Sequence, residues 1–378
     1  MLRSLAGVRV VEFCSVAAGP FCGMLLADMG ADVIKVENPD GGDTMRQWPP
    51  LKDGYSENFA SVNRNKRSVT LDLKDPRDNK RARDLIATSQ VVLENNRPGV
   101  MARLGLDHAT LSKTQPDLVY CSISAFGQEG PRSREAGFDL TLQAMSGIMS
   151  VTGEPGSAPV KCGVPLSDFA TGLYAAFGIT NALLHVRAGG QGTHIDASMF
   201  GASLAIAALQ TSEYFGSGQD PKRLGSAHPR NAPYQAFKSK DGYFGMAAGN
   251  NSLYRAACGA IARMDLFEDP RFASTQLRAK NQEALRRILE AEFEAHTSDE
   301  LLDRFRKAGV PCAPINTYSQ ALADPQVAHM GWVQTLPLPT GATTKTFVSP
   351  LRFSGNGATI DRPPPALGEH NEEIFGPD

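Results

Sequence analysis

A surplus of charge of one sign is the first feature that this 378-residue sequence lacks. Lys and Arg number 38 against 40 Asp and Glu, which gives a formal net charge of -2. A chain this balanced has no global field to draw it to nucleic acid or to a membrane surface, and no apolar run approaches the roughly 20 residues that span a bilayer. We therefore expect no nucleic-acid partner and no membrane partner, and any anionic ligand must be bound by local groups.

Paired cysteines and metal-binding motifs are also absent. No C-x-x-C and no H-E-x-x-H spacing occurs, so we expect neither structural zinc nor a disulfide framework, and no metal is needed. The N-terminal sequence MLRSLAGVRVVEF has no long apolar core followed by a cleavage site, and it predicts a first strand rather than a signal peptide. We expect a cytoplasmic protein, although a processed organellar form would have the same features. The six cysteines are scattered singly, at Cys14, Cys22, Cys121, Cys162, Cys258 and Cys312.

The glycine pattern of a dinucleotide-binding loop is missing as well. After the first predicted strand the sequence reads CSVAAGP, with one glycine, where G-x-G-x-x-G would be required. This absence excludes the usual NAD fingerprint. A loop between the carboxyl end of a parallel strand and a helix start nevertheless remains a good place for a phosphate or an adenine ring.

What the sequence does contain is an alternation of short β-branched runs with segments of helical period. That pattern predicts an α/β fold, in which helices cover both faces of a parallel sheet. The predicted strands are Val8–Phe13, Asp32–Glu37, Ser68–Leu73, Val91–Asn95, Leu118–Ser124 and Thr193–Ala197. The predicted helices run from Pro20 to before Gly30, from Pro76 to about Thr88, from Leu140 to about Ser150, from Asp168 to Val186 and from Ser198 to Phe215.

A segment rich in glycine, proline and charge, GSGQDPKRLGSAHPRNAP, predicts a domain boundary near residue 216. We expect a large domain over residues 1–216, and a linker and smaller α+β domain over residues 217–329. The smaller domain contains two strand-like runs that turn at Asp241-Gly242. The proline-rich end has too little periodicity for a domain of its own, so residues 330–378 are expected to complete the large domain.

Basic residues follow several of the predicted strands and have two interpretations. Arg and Lys side chains on successive loops at one side of a sheet suit a ligand with several phosphate charges. Most basic residues, however, only keep a surface solvated, and spacing alone favours that interpretation. The residues concerned are Arg64, Lys66, Arg67, Lys74, Arg97 and Arg103.

Asp168 stands in GVPLSDFATGLYAAFG, directly before a long and nearly uncharged helix. Its simplest interpretation is a helix N-cap. Backbone N–H groups and the helix dipole at such a position would also keep its carboxylate ionised, which a carboxylate nucleophile requires. In MAAGNNSLY, Gly249 and Asn250 lie between a strand and a helix, where they form either a mobile cover over a site or an ordinary tight loop.

The ordered motifs of the chain resemble those of the class III coenzyme A transferases, the family of formyl-CoA transferase and carnitine CoA transferase. The resemblance covers almost the whole sequence. It implies a Rossmann-like large domain built from both ends of the chain, a small domain from the middle, and an interlocked homodimer. The motifs are LAGVRVVEF, AAGPFCGMLLADMGADVIKVENPDGGDTMR, NRNKRSVTLDLK, ENNRPGVMARLGL, VYCSISAFGQEGP, QAMSGIMSVTGEPGSAPVKCGVPLSDFATG and AHPRNAPYQAFKSKDGYFGMAAGNN.

Carried over by position, the resemblance implies that Asp168 is the nucleophile and that Gly249 and Asn250 shield its covalent intermediate. Two departures from formyl-CoA transferase argue against formyl or oxalyl specificity: Ala17 replaces a Gln that contacts the acyl group, and Asn38 replaces an adenine-contacting Arg. The implied contacts with coenzyme A, counting the Asn38 position, are Val16, Ala17, Ala18, Asn38, Leu71, Lys74, Asn95, Asn96, Arg97, Arg103 and Leu104.

The activity that the resemblance implies is transfer of CoA from a donor acyl-CoA to an acceptor carboxylic acid through an aspartyl-acyl anhydride. Succinyl-CoA is a frequent donor in the family, and a short dicarboxylate or hydroxy acid is the expected acceptor, with Arg46 a candidate for a distal carboxylate. Two alternatives stay open. A 2-methylacyl-CoA racemase is disfavoured because Phe138 replaces the histidine of the relatives' GHD motif. A CoA-binding protein without catalysis is the other.

Overall fold

The computed structural model describes residues 3–377, which form two compact units. The first unit runs to Ile148, resumes over Lys161–Gln219 and includes the chain from Pro325 onward. The second comprises Met149–Val160 and Asp220–Asp324. These divisions lie within a few residues of the two boundaries predicted at 216 and 330, whereas the short piece Met149–Val160 was not expected in the second unit.

The strands are, in chain order, β1 Arg9–Phe13, β2 Asp32–Glu37, β3 Leu51–Lys52, β4 Tyr55–Ser56, β5 Lys66–Thr70, β6 Val91–Glu94, β7 Val119–Ser124, β8 His194–Ser198, β9 Tyr234–Lys238, β10 Tyr243–Ala247, β11 Cys312–Pro314, β12 Val333–Pro337 and β13 Thr343–Phe347.

The α-helices are α1 Ala18–Asp28, α2 Glu57–Asn63, α3 Pro76–Ala87, α4 Val100–Leu104, α5 His108–Leu111, α6 Asp139–Met145, α7 Ile148–Val151, α8 Leu166–Arg187, α9 Met199–Ile206, α10 Ala208–Ser217, α11 Asn251–Ala260, α12 Met264–Glu268, α13 Thr275–Lys280, α14 Gln282–Phe293, α15 Ser298–Lys307, α16 Tyr318–Leu322, α17 Pro325–Met330 and α18 Asn371–Phe375. Two 3-10 turns occupy Thr44–Gln47 and Pro270–Phe272.

The first unit is built on a six-stranded parallel sheet with the order β5-β2-β1-β6-β7-β8. From β1 the chain first builds outward through β2 and β5, and then returns to add β6, β7 and β8 on the other side. The strand order therefore reverses between β1 and β6, and ligands of open α/β sheets bind at the carboxyl ends of the strands at such a reversal. This sheet confirms the predicted Rossmann-like α/β fold.

Both faces of the sheet are covered, which explains why its strands read as nearly continuous apolar runs. Along β1, Val10 packs into a cluster with α1 and α8, whereas the next residue, Val11, packs on the opposite face with α3. Successive side chains of a strand point to opposite faces, so both must be apolar when both faces are buried. The C-terminal segment adds the antiparallel pair β12 and β13 to this unit.

The second unit has its own sheet and its own core. The antiparallel strands β9 and β10 turn at Asp241-Gly242 as predicted, and β11 completes a three-stranded sheet with the order β11-β10-β9. Phe237 and Phe244 of this sheet pack with Phe293 of α14 and Phe305 of α15, at ring-centre distances between 5.4 and 6.3 Å.

Two predicted helices are each divided in the structure. The helix expected over 140–150 breaks between α6 and α7 at Gly147, which has a left-handed φ of 84° that a helix cannot accommodate. The helix expected over 198–215 breaks between α9 and α10 at Ala207. The expectation that no segment approaches the length of a membrane span was wrong. By length and composition alone, α8 is long and apolar enough to cross a membrane, although 39% of its most apolar 18-residue segment is buried within the protein.

Candidate active site

A cavity of about 250 Å³ opens at the carboxyl edge of the sheet, at the strand reversal between β1 and β6. Its walls come from the loops that follow three neighbouring strands and from the starts of the three helices α1, α8 and α9. The lining residues are 15–18 after β1, 95–98 after β6, 123–125 at the end of β7, 135–138, Asp168 of α8 and Met199 of α9.

Asp168 reaches this cavity because α8 and α1 approach each other very closely. A Cβ atom added at Gly172, one turn beyond Asp168, would lie 2.8 Å from the Ala18 carbonyl oxygen and 2.9 Å from Cδ1 of Phe21. The rings of Phe21 and Phe169 pack at 4.8 Å between their centres. The absence of a side chain at Gly172 therefore places the first turn of α8 against the first turn of α1.

The expected N-cap role of Asp168 is wrong. Helix α8 begins two residues earlier, directly after Pro165, and proline is well suited to a helix start because its φ is fixed and it has no N–H to satisfy. The capping oxygen comes instead from α6: Oδ1 of Asp139 accepts a hydrogen bond from the Ser167 amide at 2.9 Å. Asp139 is itself held by Gln143, whose Nε2 donates to Oδ2 at 2.8 Å.

This arrangement also reverses the expected effect on ionisation. Burial, and then the negative charge of Asp139, raise the pKa of Asp168 to about 6. Within residues 3–377, no hydrogen bond or ion pair reaches the Asp168 carboxylate, so its ionised form lacks the stabilisation that an N-cap would have. The result is a half-buried carboxylate that is ionised near neutral pH and more basic than an ordinary aspartate.

The loops after β1 and β6 are joined by reciprocal hydrogen bonds. The Ser15 amide donates to Oδ1 of Asn95 at 3.0 Å, and Nδ2 of Asn95 donates to the Ser15 carbonyl at 2.8 Å. Next along the chain, Val16 has a φ of 67°, which is rare for a β-branched residue. The cavity thus has a wall of fixed backbone opposite an unpaired carboxylate.

Seven of the residues predicted for the site line this one cavity: Val16, Ala17, Ala18, Asn95, Asn96, Arg97 and Asp168. The other five of the first unit do not line it. Asn38 follows β2 and is exposed, Leu71 is buried after β5 and Lys74 is exposed beyond it, and Arg103 and Leu104 lie in α4. All five nonetheless follow strands of the same sheet, at or beyond its carboxyl edge.

Gly249 and Asn250 belong to the second unit, where they form a firmly held loop. The Gly249 carbonyl accepts a hydrogen bond from Nη2 of buried Arg278 at 2.9 Å, and a Cβ atom at Gly249 would lie 2.6 Å from Cβ of Asn231. Asn250 caps α11, since its Oδ1 accepts from the Leu253 amide at 2.8 Å. These contacts are those of the ordinary tight loop that the sequence allowed.

Three of the basic residues considered for phosphate binding form ion pairs inside the protein. They are therefore neither available for phosphate nor part of a solvated surface, and both interpretations were wrong for them. Lys66 is fully buried, with Nζ 2.8 Å from Oε2 of Glu12. Arg64 and Arg67 pair with Asp28 and Asp32, each at 2.6 Å. A buried cation that loses its hydration must be paired, so these side chains hold the sheet and α1 together.

Arg46 is likewise unavailable for a substrate carboxylate. Its Nε and Nη2 donate to the two carboxylate oxygens of Glu37 at 2.8 and 2.7 Å, and its Nη1 donates to the Pro365 carbonyl at 3.0 Å. The pKa of Glu37 is about 2, because the hydrogen bonds and charges of its neighbours, Arg46 first among them, outweigh the effect of its burial.

Sequence reasoning missed the part of the wall that follows β7. Ala125 at the strand end and Gly137 and Phe138 before α6 line the cavity, and Phe138 is 73% exposed there. The predicted strand Leu118–Ser124 could have indicated this part of the wall, since the loop after each parallel strand near the reversal should contribute to the site. Phe138 itself was weighed only as the replacement of a histidine.

Comparison with known proteins agrees with this architecture. The profile of CoA-transferase family III matches residues 5–371. The succinate–glutarate CoA-transferase of Agrobacterium fabrum is 39% identical, over 98% of this chain and 94% of that protein. The human succinyl-CoA:glutarate CoA-transferase is 37% identical, over 99% of this chain and 86% of that protein. A solved CAIB/BAIF family protein from Brucella suis has a TM-score of 0.86 at 40% identity, covering 98% of both chains.

The chain therefore belongs to CoA-transferase family III and is a class III CoA-transferase, as the motifs indicated. Coenzyme A, as its thioester, is the substrate that defines this class. In the part of the chain that the structure describes, no group of three or more His, Cys, Asp or Glu side chains is arranged to hold a metal ion.

Proposed function

We propose that this enzyme transfers CoA from succinyl-CoA to a short dicarboxylate, with Asp168 as the nucleophile. The observation that carries the proposal is the position of Asp168: an unpaired, half-buried carboxylate in the cavity at the strand reversal, facing loops suited to coenzyme A. The relatives named for succinate or succinyl-CoA and glutarate support the choice of donor and the dicarboxylate class. A hydroxy acid is a second acceptor class, because a relative named for succinyl-CoA and D-citramalate is 35% identical.

In the first half-reaction the Asp168 carboxylate attacks the thioester carbonyl carbon of the donor. The C–S bond breaks, CoA leaves as a thiolate, and an aspartyl-acyl anhydride remains. The acceptor carboxylate then attacks the Asp168 carbonyl carbon and displaces the donor acid, which gives a second anhydride. The thiolate attacks the acceptor's acyl carbon, and the C–O bond to Asp168 breaks, which releases the new acyl-CoA and regenerates the carboxylate.

The raised pKa of Asp168 suits this chemistry. A more basic carboxylate is a stronger nucleophile, provided that it is still ionised at the working pH. The anhydride must also be kept from water, which would hydrolyse it. Gly249 and Asn250 stay our candidates for that shield, acting as a fixed rather than a hinged cover, because Arg278 holds their loop.

Coenzyme A is proposed to lie along the carboxyl edge of the sheet. The pantetheine arm would enter between the loops 15–18 and 95–98, with exposed Arg97 at the rim available for a phosphate group. Asn38, Leu71, Lys74, Arg103 and Leu104 follow neighbouring strands and would contact the nucleotide end. For Arg97→Ala we expect weaker binding of CoA and a smaller difference in affinity between CoA and dephospho-CoA.

A homodimer is proposed because α8 is apolar on both sides. Ala175 and Ile179 on one side are buried in the core, whereas Leu173, Phe177 and Leu184 on the other are 55%, 68% and 64% exposed. A helix that is hydrophobic all round is a buried helix, and a second copy of this chain would cover the open side. Phe177→Glu should convert the dimer to monomers in light scattering; an unchanged mass, or binding of the wild type to lipid vesicles, would contradict this.

The test of the function is transfer by Asp168→Asn compared with the wild type. We expect transfer from succinyl-CoA to glutarate by the wild type, and its loss in the variant with binding of CoA retained. Retained transfer would overturn the role of Asp168. The cavity gives no support to the racemase alternative, because Phe138 has no proton to exchange and none of the described residues that line the wall is a histidine. We also propose the cytosol as the compartment, since the six cysteines are unpaired.

A further inference from the structure

Val16 holds an unfavourable backbone conformation at the wall of the cavity. Its φ of 67° lies in the left-handed region, where a β-branched side chain clashes with its own backbone. Such a residue persists only where its surroundings enforce the conformation, and strain of this kind collects at functional sites. The chain must therefore contain contacts that hold Val16 in place.

The contact that holds Val16 is the carboxylate of Asp43. The Val16 amide donates to both of its oxygens, at 3.1 and 3.2 Å, and Asp43 also accepts from the Met45 amide at 3.0 Å. Asp43 has a fully buried side chain, so the Val16 N–H is turned into the protein and away from the cavity. Without that acceptor, an N–H that points into the protein would be left unsatisfied.

Asp43 is in turn held by Lys35 of β2, which contacts both sides of the loop. Nζ of Lys35 lies 3.0 Å from Oδ2 of Asp43, donates to the Cys14 carbonyl at 2.6 Å and donates to Glu12 at 3.2 Å. The chain just before Val16 and the carboxylate that binds Val16 are thus tied to one ammonium group. Its side chain is fully buried.

Stability alone does not account for this arrangement. Removing two charges from water costs several kcal/mol per ion, and well-packed apolar residues often serve a fold equally well. What an apolar pair cannot supply is an acceptor for the Val16 amide. The charged pair is therefore suited to fixing one backbone geometry beside the cavity.

We propose that Lys35 and Asp43 are positioning residues for the acyl-CoA site: they hold Val16 in its left-handed conformation, and so fix the 15–18 loop and the start of α1 opposite Asp168. This inference rests on the proposed function, in which that loop contacts the pantetheine arm. Neither side chain lines the cavity, so both act only through the loop. The prediction is a change in the Michaelis constant for the thioester that exceeds any change in kcat.

The experiment compares Asp43→Asn with Asp28→Asn. Asp28 is a matched control, because it is buried in an ion pair with Arg64 at the far end of α1, about 15 Å from Ala18. An Asn has one accepting oxygen, so its NH2 group must face either the Lys35 ammonium or the Val16 and Met45 amides, and one side of the arrangement is lost. We therefore expect Asp43→Asn to raise the KM for succinyl-CoA about tenfold, and Asp28→Asn to lower the Tm with the KM unchanged. Adding Val16→Gly to Asp43→Asn should recover several-fold of the loss, because glycine adopts a positive φ without strain.

Equal KM values in the two Asp→Asn variants, or no recovery with Val16→Gly, would overturn the inference. If Asp43→Asn does not fold, Val16→Pro replaces it, since proline cannot adopt a positive φ; an unchanged KM in that variant is equally decisive. Failure of the proposed function is distinguished by Ala18→Trp, which fills the cavity. If CoA still binds Ala18→Trp with wild-type affinity, the cavity is not the CoA site, whatever Asp43→Asn does.

Discussion

Replacing Asp139 by Asn should move the acid limb of the pH profile. Asp139 is the charged group that raises the pKa of Asp168 beyond the effect of burial. The amide oxygen of Asn can still accept from the Ser167 amide, which Asp139 now does at 2.9 Å, so the start of α8 stays capped. The hydrogen bond from Gln143 is lost, because the Asn NH2 group replaces the oxygen that accepts it. The principal change is the loss of one negative charge.

The magnitude follows from the pKa of about 6 for Asp168. At that value about 91% of the carboxylate is ionised at pH 7 and about 9% at pH 5, so kcat/KM for the donor should fall about tenfold between them. Removing the Asp139 charge lowers the pKa. A decrease of about one unit would leave about half ionised at pH 5, and the fall would shrink to about twofold. The plateau near pH 8 should drop, because a less basic carboxylate is a weaker nucleophile.

The assay is the rate of CoA transfer from succinyl-CoA to glutarate, measured as the new acyl-CoA from about pH 4.5 to pH 8.5 in buffers of constant ionic strength. Glu135→Gln is the control, because Glu135 also lines the cavity but is exposed and paired with Arg132. We expect its profile to match the wild type. An acid limb that stays in place in Asp139→Asn, or that moves equally in Glu135→Gln, would refute the assignment of Asp168 as the group that must be ionised.

Two further predictions concern stability. Because the folded-state pKa of Asp168 lies above its ordinary value, its ionisation opposes folding: the contribution of this one group to stability is fully present below about pH 4 and is lost as the pH rises through about 6. Asp168→Asn should therefore raise the Tm at pH 7.5 and leave it unchanged near pH 3.5; a lower Tm at pH 7.5 would contradict this. Gly172→Ala should lower stability by about 1–3 kcal/mol in urea unfolding through the contact with Ala18, whereas Gly259→Ala, an exposed helical position with no neighbour within 4 Å, should be neutral or stabilising. Equal effects of the two substitutions would refute the close approach of α1 and α8.

The order of elements and the edge that holds the site could be predicted from the sequence, because both depend on local patterns. Alternating apolar strands and helices specify a parallel sheet, and a parallel sheet presents its binding loops at one edge. Asp168, Val16 and Arg97 were placed at that edge by their motifs, and the cavity brings them together.

The electrostatics could not be predicted, because the partners are distant in sequence. Lys66 pairs with Glu12 and Arg64 with Asp28, over separations of 54 and 36 residues, so neighbouring residues gave no sign that these cations are buried. The same applies to Asp168, whose helix is capped by Asp139, 28 residues before Ser167. The N-cap preference for Asp predicted that Asp168, the nearest carboxylate, caps the helix. In the folded protein the cap is Asp139, which packing of α6 brings to the helix start.

The most direct measurement of the central claim is a trap for the anhydride at Asp168. The enzyme is mixed with succinyl-CoA and hydroxylamine in the absence of acceptor, digested, and analysed by mass spectrometry for the peptide that contains Asp168. The account predicts a hydroxamate on Asp168, formed only with the thioester present, together with release of one equivalent of CoA thiol. An unmodified Asp168 in an enzyme sample that transfers CoA once glutarate is added, or a hydroxamate on another carboxylate, would contradict it.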